Sequence, residues 1–228
     1  MCELDKLFNN NRSWAKHCTA QDKHFFHDLA AQQNPEYLWI GCADSRVPAN
    51  EIVGLKPGEL FVHRNIANLV QNMDYNCMSV VQYAVEVLKV KHIIVTGHYG
   101  CGGVQAAMDD KEHGLVDNWL RAIKDIYFNH RDEIDALRFR EQKVNRLCEL
   151  NVMTQVANLA KSKILLHAWQ RNQPVSIHGM IYSICDGHLK NLNVSVSNAD
   201  TVDSLYNLKP TTRETRPVVQ PAVSCPID

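Results

Sequence analysis

The sequence predicts an α/β fold: a mainly parallel central β-sheet flanked by helices, with an N-terminal helical arm and an antiparallel edge strand near the C-terminus. Three observations predict it. Short apolar runs, Tyr37–Gly41, Glu59–Arg64 and His92–Gly97, alternate with stretches of helical spacing, the pattern of crossover connections between parallel strands. After a mainly helical region over 115–172, strand character returns at Val175–Ile184. Asp186-Gly187 then marks a tight turn into a last strand, Leu189–Val196.

The elements follow in order. Leu4, Leu7, Phe8, Trp14, Ala15 and Cys18 recur at helical spacing, and Thr19 with Asp22 resembles a capping box ahead of a second helix, His24–Leu29. Asn34-Pro35 stops that helix, so residues 1–34 form an arm that packs on its own core or on a neighbouring subunit. The main domain spans 35–200. Within it Pro48–Val53 reads as a short helix, and Cys77–Leu88 as a longer one with Val80, Val81, Ala84, Val85 and Leu88 on one face. A further helix starts near Gly102, and the charged stretch Arg131–Arg146 reads as solvated helix faces. Pro210, Pro217, Pro221 and Pro226 make 201–228 an irregular tail.

Length and composition exclude several classes. A chain of 228 residues, 45% hydrophobic and 21% charged, has the material for one substantial core. With 24 basic against 25 acidic side chains its net charge is -1, so no general attraction to nucleic acid or anionic membrane is expected. No apolar run approaches bilayer length, and the start M-C-E-L-D-K-L lacks a secretory signal. A soluble, cytoplasmic protein is expected, or an organellar one if a transit peptide has been removed. The eight cysteines show no compact disulfide spacing and are expected to be thiols or metal ligands.

The chemistry concentrates in two loops. In I-G-C-A-D-S-R, Cys42 and Asp44 stand just beyond a strand's carboxyl end, where open α/β sheets place their ligands, and Arg46 follows two residues on. Alone, Cys42 reads first as a core thiol and Asp44 as a helix cap. In T-G-H-Y-G-C-G-G, His98 and Cys101 add an imidazole and a second thiol in H-x-x-C spacing. Two thiolates, an imidazole and a carboxylate make a four-coordinate Zn2+ site by ligand type. Gly100, Gly102 and Gly103 let the backbone approach an ion or small ligand, with Gly102 the candidate substrate contact. A dinucleotide loop is disfavoured because Gln105 stands where the third glycine belongs. Cys185 and His188 are weaker candidates, since the Asp-Gly between them marks a hairpin.

The C-A-D-S-R and H-Y-G-C-G-G motifs, with G-E-L-F-V-H-R-N-I-A-N between them, resemble β-class carbonic anhydrases, most closely the bacterial type. The similarity runs from about residue 5 to 200 and takes in D-N-W-L at 117–120, E-L-N-V at 149–152 and H-G-x-x-Y ending at Tyr182. It implies zinc on Cys42, His98 and Cys101, a homodimer built by exchange of N-terminal helices, and often a tetramer as a dimer of dimers. The implied reaction is the reversible hydration of carbon dioxide to bicarbonate and a proton. Zinc needs an open position to activate water, so Asp44 on the metal closes the site and a bidentate Arg46 opens it. The bacterial type further implies an inhibitory, non-catalytic bicarbonate near Trp39, Arg64 and Tyr182. The alternative makes Trp39 core, Arg64 a dimer ion-pair partner and Tyr182 a buried strand residue; Met180 and Ile181 depart from close bacterial relatives, which carry a tryptophan after H-G. His63, on the opposite strand face from Arg64, is given no proton-shuttle role. Two other functions compete: carbon disulfide or carbonyl sulfide hydrolysis on the same fold, and non-catalytic binding of zinc or bicarbonate.

Overall fold

A computed structural model describes residues 4–202. Its centre is a five-stranded sheet of β1 (Tyr37–Cys42), β2 (Leu60–Asn65), β3 (His92–His98), β4 (Ser176–Tyr182) and β5 (Leu189–Val196), in the order β2-β1-β3-β4-β5. The first four are parallel and β5 runs antiparallel to β4. The expected architecture and its antiparallel edge are therefore present, with strand ends within about two residues of those read from the sequence.

Around the sheet lie α1 (Asp5–Gln21), α2 (Phe25–Ala31), α3 (Ala49–Val53), α4 (Tyr75–Gln82), α5 (Gly102–Ala107), α6 (Val116–Asn129), α7 (Arg131–Asp135), α8 (Arg140–Ala160) and α9 (Lys163–Gln170). Two local expectations are corrected. Thr19 is no helix cap: α1 runs through it, and its hydroxyl donates to the Ala15 carbonyl while Asp22 accepts the His24 amide. The helix expected over Cys77–Leu88 starts two residues earlier, because the Asp74 carboxylate caps the Asn76 and Cys77 amides. It then loosens at Tyr83–Val87 into a π-helical turn.

Period-two alternation sorts the sheet's two faces. Leu38, Ile40, Ile93, Val95 and Ile177 point into the main core with Val81 and Val85 after β2, and with Val152, Val156 and Leu165 from α8 and α9. Trp39 and Ile94 point to the other face, where Ala49 and Leu60 cover them. Close approach of α8 depends on glycine: a Cβ on Gly97 would lie 2.6 Å from Val152 Cγ2, and one on Gly179 would lie 3.2 Å from Val152 Cγ1. This contact brings the polar residues of α8 to the carboxyl end of β3, beside His98.

The arm behaves differently. Trp14 meets Phe26 edge to face at 5.6 Å, and α1 packs mainly on α2. Leu4, Leu7, Phe8 and Trp14 nevertheless remain exposed. Part of the 201–228 tail, from residue 203, lies outside the described residues.

Candidate metal centre

The parallel register explains why distant sequence segments meet. Gly41 lies beside Thr96, and β1 and β3 end together, so the loop after Cys42 faces His98 and the turn to Cys101. Cys42, His98 and Cys101 are all buried, with ligand atoms within 4.8 Å of one another. The two sulfurs are 3.9 Å apart. Two thiolates each about 2.3 Å from one tetrahedral zinc are about 3.8 Å apart, whereas a disulfide needs about 2.05 Å.

The imidazole is prepared for the same ion. His98 Nδ1 donates to the Tyr99 carbonyl at 3.0 Å, which leaves Nε2 as the lone-pair nitrogen. That buried Nε2 has no hydrogen-bond partner among the described residues. An orphaned acceptor between two thiols fits a cation and would otherwise be a net cost. Tyr99 is itself tied down, its hydroxyl donating to Glu149 at 2.7 Å while Arg146 pairs with the other Glu149 oxygen at 2.8 Å.

The two thiols lie in contact. The Cys101 side chain, despite burial, holds the Cys42 thiol below its usual range, helped by His98 and by the Asp44 and Ala67 amides. The same contact, reinforced by burial, pushes Cys101 up. A divalent cation would hold both sulfurs as thiolates and neutralise their charge.

Asp44 stands at the rim. Arg46 clamps it in bidentate fashion, Nε to Oδ1 at 3.0 Å and Nη2 to Oδ2 at 2.7 Å, and the Arg46 amide adds a third bond at 3.0 Å. The guanidinium thus holds the carboxyl far below the ordinary carboxylate range, so it stays ionised. Its Oδ2 is 3.7 Å from His98 Nε2, too long for a hydrogen bond yet adjacent to the metal-binding space. Arg64 stabilises this loop from β2, donating to the carbonyls of Cys42, at 2.8 Å, and Asp44.

The remaining residues singled out from the sequence are placed as follows. Trp39, 1% exposed, lies over Gly41, where an added Cβ would meet its Nε1 at 2.3 Å. Tyr182 pairs in register with His98, and Met180 packs against the Trp39 cluster. A Cβ on Gly102 would meet nothing within 4 Å, so space beside it is open. Cys185 is disulfide-bonded, which corrects the expectation of thiols throughout and removes it as a ligand; Cys18, Cys42, Cys77, Cys101 and Cys148 are free. His188 serves the hairpin, its amide donating to Asp186.

A second trio, His63, Asp74 and Cys77, also brings its ligand atoms within 4.8 Å. Its groups are already committed. Asp74 caps α4, His63 Nε2 accepts from Asn65 Nδ2 at 3.3 Å, and burial pushes the Cys77 thiol up to about 12. Sequence reasoning had passed over the backbone donors of the true centre, the Asp44 and Ala67 amides, because no side chain signals them.

Comparison with known proteins agrees with this geometry. A family model described as carbonic anhydrase matches residues 37–189. A carbonic anhydrase of Emericella nidulans is 48% identical over 206 residues, covering 90% of this chain and 90% of that protein. A Coccomyxa β-carbonic anhydrase, solved in complex with acetazolamide, superposes with a TM-score of 0.84 at 38% identity, covering 90% of this chain and 92% of its own. One of two tetrameric β-carbonic anhydrases from the filamentous ascomycete Sordaria macrospora gives 0.81 at 40% identity, covering 85% and 98%. With a buried Cys-His-Cys set suited to zinc at the carboxyl end of a mainly parallel sheet, the chain belongs to the carbonic anhydrase family, in its β class.

Proposed function

We propose that this zinc enzyme interconverts carbon dioxide and bicarbonate and that Asp44 gates it by moving between zinc and Arg46. One observation carries the gate: the Asp44 oxygen that Arg46 Nη2 holds at 2.7 Å also lies 3.7 Å from His98 Nε2, a nitrogen with no hydrogen-bond partner among the described residues. Zinc, when bound, supplies the Lewis acid that makes water nucleophilic near neutrality. Cys42, His98 and Cys101 hold it, and the Tyr99 carbonyl fixes the His98 tautomer. Asp44, kept ionised by Arg46, accepts a hydrogen bond from the attacking water and orients it towards carbon dioxide beside Gly102.

The pH dependence follows with its sign. The stabilisation from the Asp44–Arg46 pair is present above the unfolded carboxylate value of about 3.9 and is lost as pH falls from there through the depressed folded value. Titration of Asp44 therefore does not act between pH 6 and 8. Competition does: Asp44 and solvent hydroxide seek one position, and hydroxide falls tenfold per pH unit. Hydration is expected to fall steeply below neutrality in stopped-flow measurements on metal-analysed protein. A flat profile from pH 6 to 8.5 counts against the gate, and zinc near one per chain with no alkaline turnover favours a binding protein. Faster turnover of carbon disulfide than of carbon dioxide would point to the hydrolase alternative.

The bicarbonate-regulated subtype rests on placement. Register puts Trp39, Arg64 and Tyr182 on one sheet face, since Gly41 pairs Arg64, and His98 pairs Tyr182. Arg64 also holds the carbonyls on either side of Ala43, so an anion there couples directly to the Asp44 loop. In the same assay, Trp39→Phe is expected to weaken bicarbonate inhibition about fivefold, the worth of one lost hydrogen bond. Unchanged inhibition argues against this site.

The exposed apolar side of α1 supports a homodimer formed by arm exchange, and the tetrameric Sordaria relative supports a dimer of dimers. Sedimentation of a Leu7→Glu, Phe8→Glu double variant is expected to show smaller species than the parent chain. An unaltered assembly sinks the exchange.

A further inference from the structure

Beside the Cys101 and His98 side chains, backbone amides also face Cys42, and one of them has an unusual support. Just beyond the point where Cys42 pairs with Asn65, the chain turns through Ile66–Asn68 with Ala67 at φ 63° and ψ 30° and Asn68 at φ 50°. L-residues enter this left-handed region reluctantly, and neither position is glycine. Ala67 is fully buried in the cluster that contains Cys42 and Cys101. Its Cβ packs towards Gly103, two residues after Cys101, and its amide helps hold the Cys42 thiol below its usual range.

Both peptide planes flanking Ala67 are held through their carbonyl oxygens. Trp119 Nε1, from α6, donates to Ile66 O at 2.8 Å; Asn151 Nδ2, from α8, donates to Ala67 O at 2.9 Å. Asn151 is buried and braced in turn by Gln155 at 2.9 Å. Gly103 closes the third side, where a Cβ would lie 2.9 Å from Ile66 Cγ2 and 3.3 Å from Ala67 Cβ. The Ile66 carbonyl and the Ala67 amide belong to one rigid peptide unit. A donor on that carbonyl therefore aims the amide and also polarises it towards stronger donation.

We propose that Trp119 is a positioning residue of the metal centre: its indole sets the Ile66–Ala67 peptide that faces Cys42, and Asn151 fixes the next peptide so that the turn holds its left-handed shape. The effect is electronic as well as geometric. An amide hydrogen bond draws electron density from a thiolate, which makes it a weaker donor and leaves its metal a stronger Lewis acid. This inference rests on zinc binding at Cys42, His98 and Cys101.

The test uses cobalt-substituted and zinc-loaded full-length protein carrying Trp119→Phe, which keeps an aromatic ring and removes the donor. The thiolate-to-cobalt charge-transfer band is expected to move to longer wavelength, metal loss to a chelator to quicken about tenfold, and the pH midpoint of hydration to rise. Asn158→Leu is the structural control. It removes bonds to Val70 O, just beyond that turn, and to Gln155 Oε1 on α8, but none to either peptide flanking Ala67. It is expected to lower the melting temperature and leave the band unmoved. If Trp119→Phe fails to fold, Asn151→Ser carries the same three readouts. A parental band and chelation rate in the folded variant overturn the inference while leaving the zinc reading intact. Failure of the parent chain to take up cobalt overturns the zinc reading, and this one with it.

Discussion

Replacement of Cys101 by alanine is expected to empty the metal centre and reduce carbon dioxide hydration to near background. Cys101 is 2% exposed, and its sulfur is one of two, 3.9 Å apart, that would hold the cation. Removing it leaves a neutral imidazole and one thiolate, too few ligands for a structural or catalytic zinc site. Without the metal, water keeps its bulk pKa of about 15.7 instead of about 7, so a loss of at least ~1000-fold at neutral pH is expected. The matched control is Cys148→Ala. Cys148 is equally buried and free, and it accepts from the Cys101 amide, but it lies outside the ligand trio. Metal analysis should find under a tenth of a zinc per chain in the first variant and parental content in the second. Retention of metal and turnover by Cys101→Ala would remove the basis of the site.

Arg46→Ala should produce the second largest effect, and one that depends on pH. The clamp consists of two charge-assisted hydrogen bonds at 3.0 and 2.7 Å, with the Arg46 side chain 58% exposed. Such bonds contribute about 1.5–3 kcal/mol in shielded settings, and solvent screening argues for the lower end, about 2 kcal/mol in total. Released, the Asp44 carboxylate is already adjacent to His98 Nε2 and needs only a small movement to reach the metal. Closure favoured by about 2 kcal/mol corresponds to a roughly 30-fold loss of activity near pH 7, recovering as hydroxide becomes the stronger competitor in alkali. Asp44→Asn in the same background cannot close in that way, so its profile should lose the steep acid limb while its rate stays low. A parental rate and profile in Arg46→Ala is the result incompatible with the gate.

Much of the site was legible before any coordinates, for a chemical reason. Cys42, His98 and Cys101 could be read as one ligand set because two thiols and an imidazole just beyond strand ends have the chemistry and placement of zinc ligands. Strand type was legible through Val and Ile enrichment and period-two alternation in Tyr37–Cys42 and His92–His98. What escaped was carried by hydrogen bonds whose partners residue type and spacing do not name. Asp74 displaced the start of α4 by local capping, Thr19 stayed helical because its hydroxyl found the Ala15 carbonyl, and Tyr83–Val87 changed helical hydrogen-bonding pattern. Ala67 is the clearest case: an alanine at φ 63° is held there by Trp119 and Asn151, residues 52 and 84 positions downstream.

The amino-acid sequence by itself determined the inventory: the donor set for one zinc ion, an acid and a guanidinium two residues apart, and the alternation that makes a mainly parallel sheet. Tertiary structure alone decided which of those groups meet and in what state. It brought Cys42 and Cys101 to 3.9 Å, left His98 Nε2 without a hydrogen-bond partner among the described residues, and turned Asp44 towards Arg46. The reason is that local chemistry is written in side-chain type, whereas distance, burial and backbone orientation arise only when strands distant along the chain settle into register and α8 closes over Gly97 and Gly179.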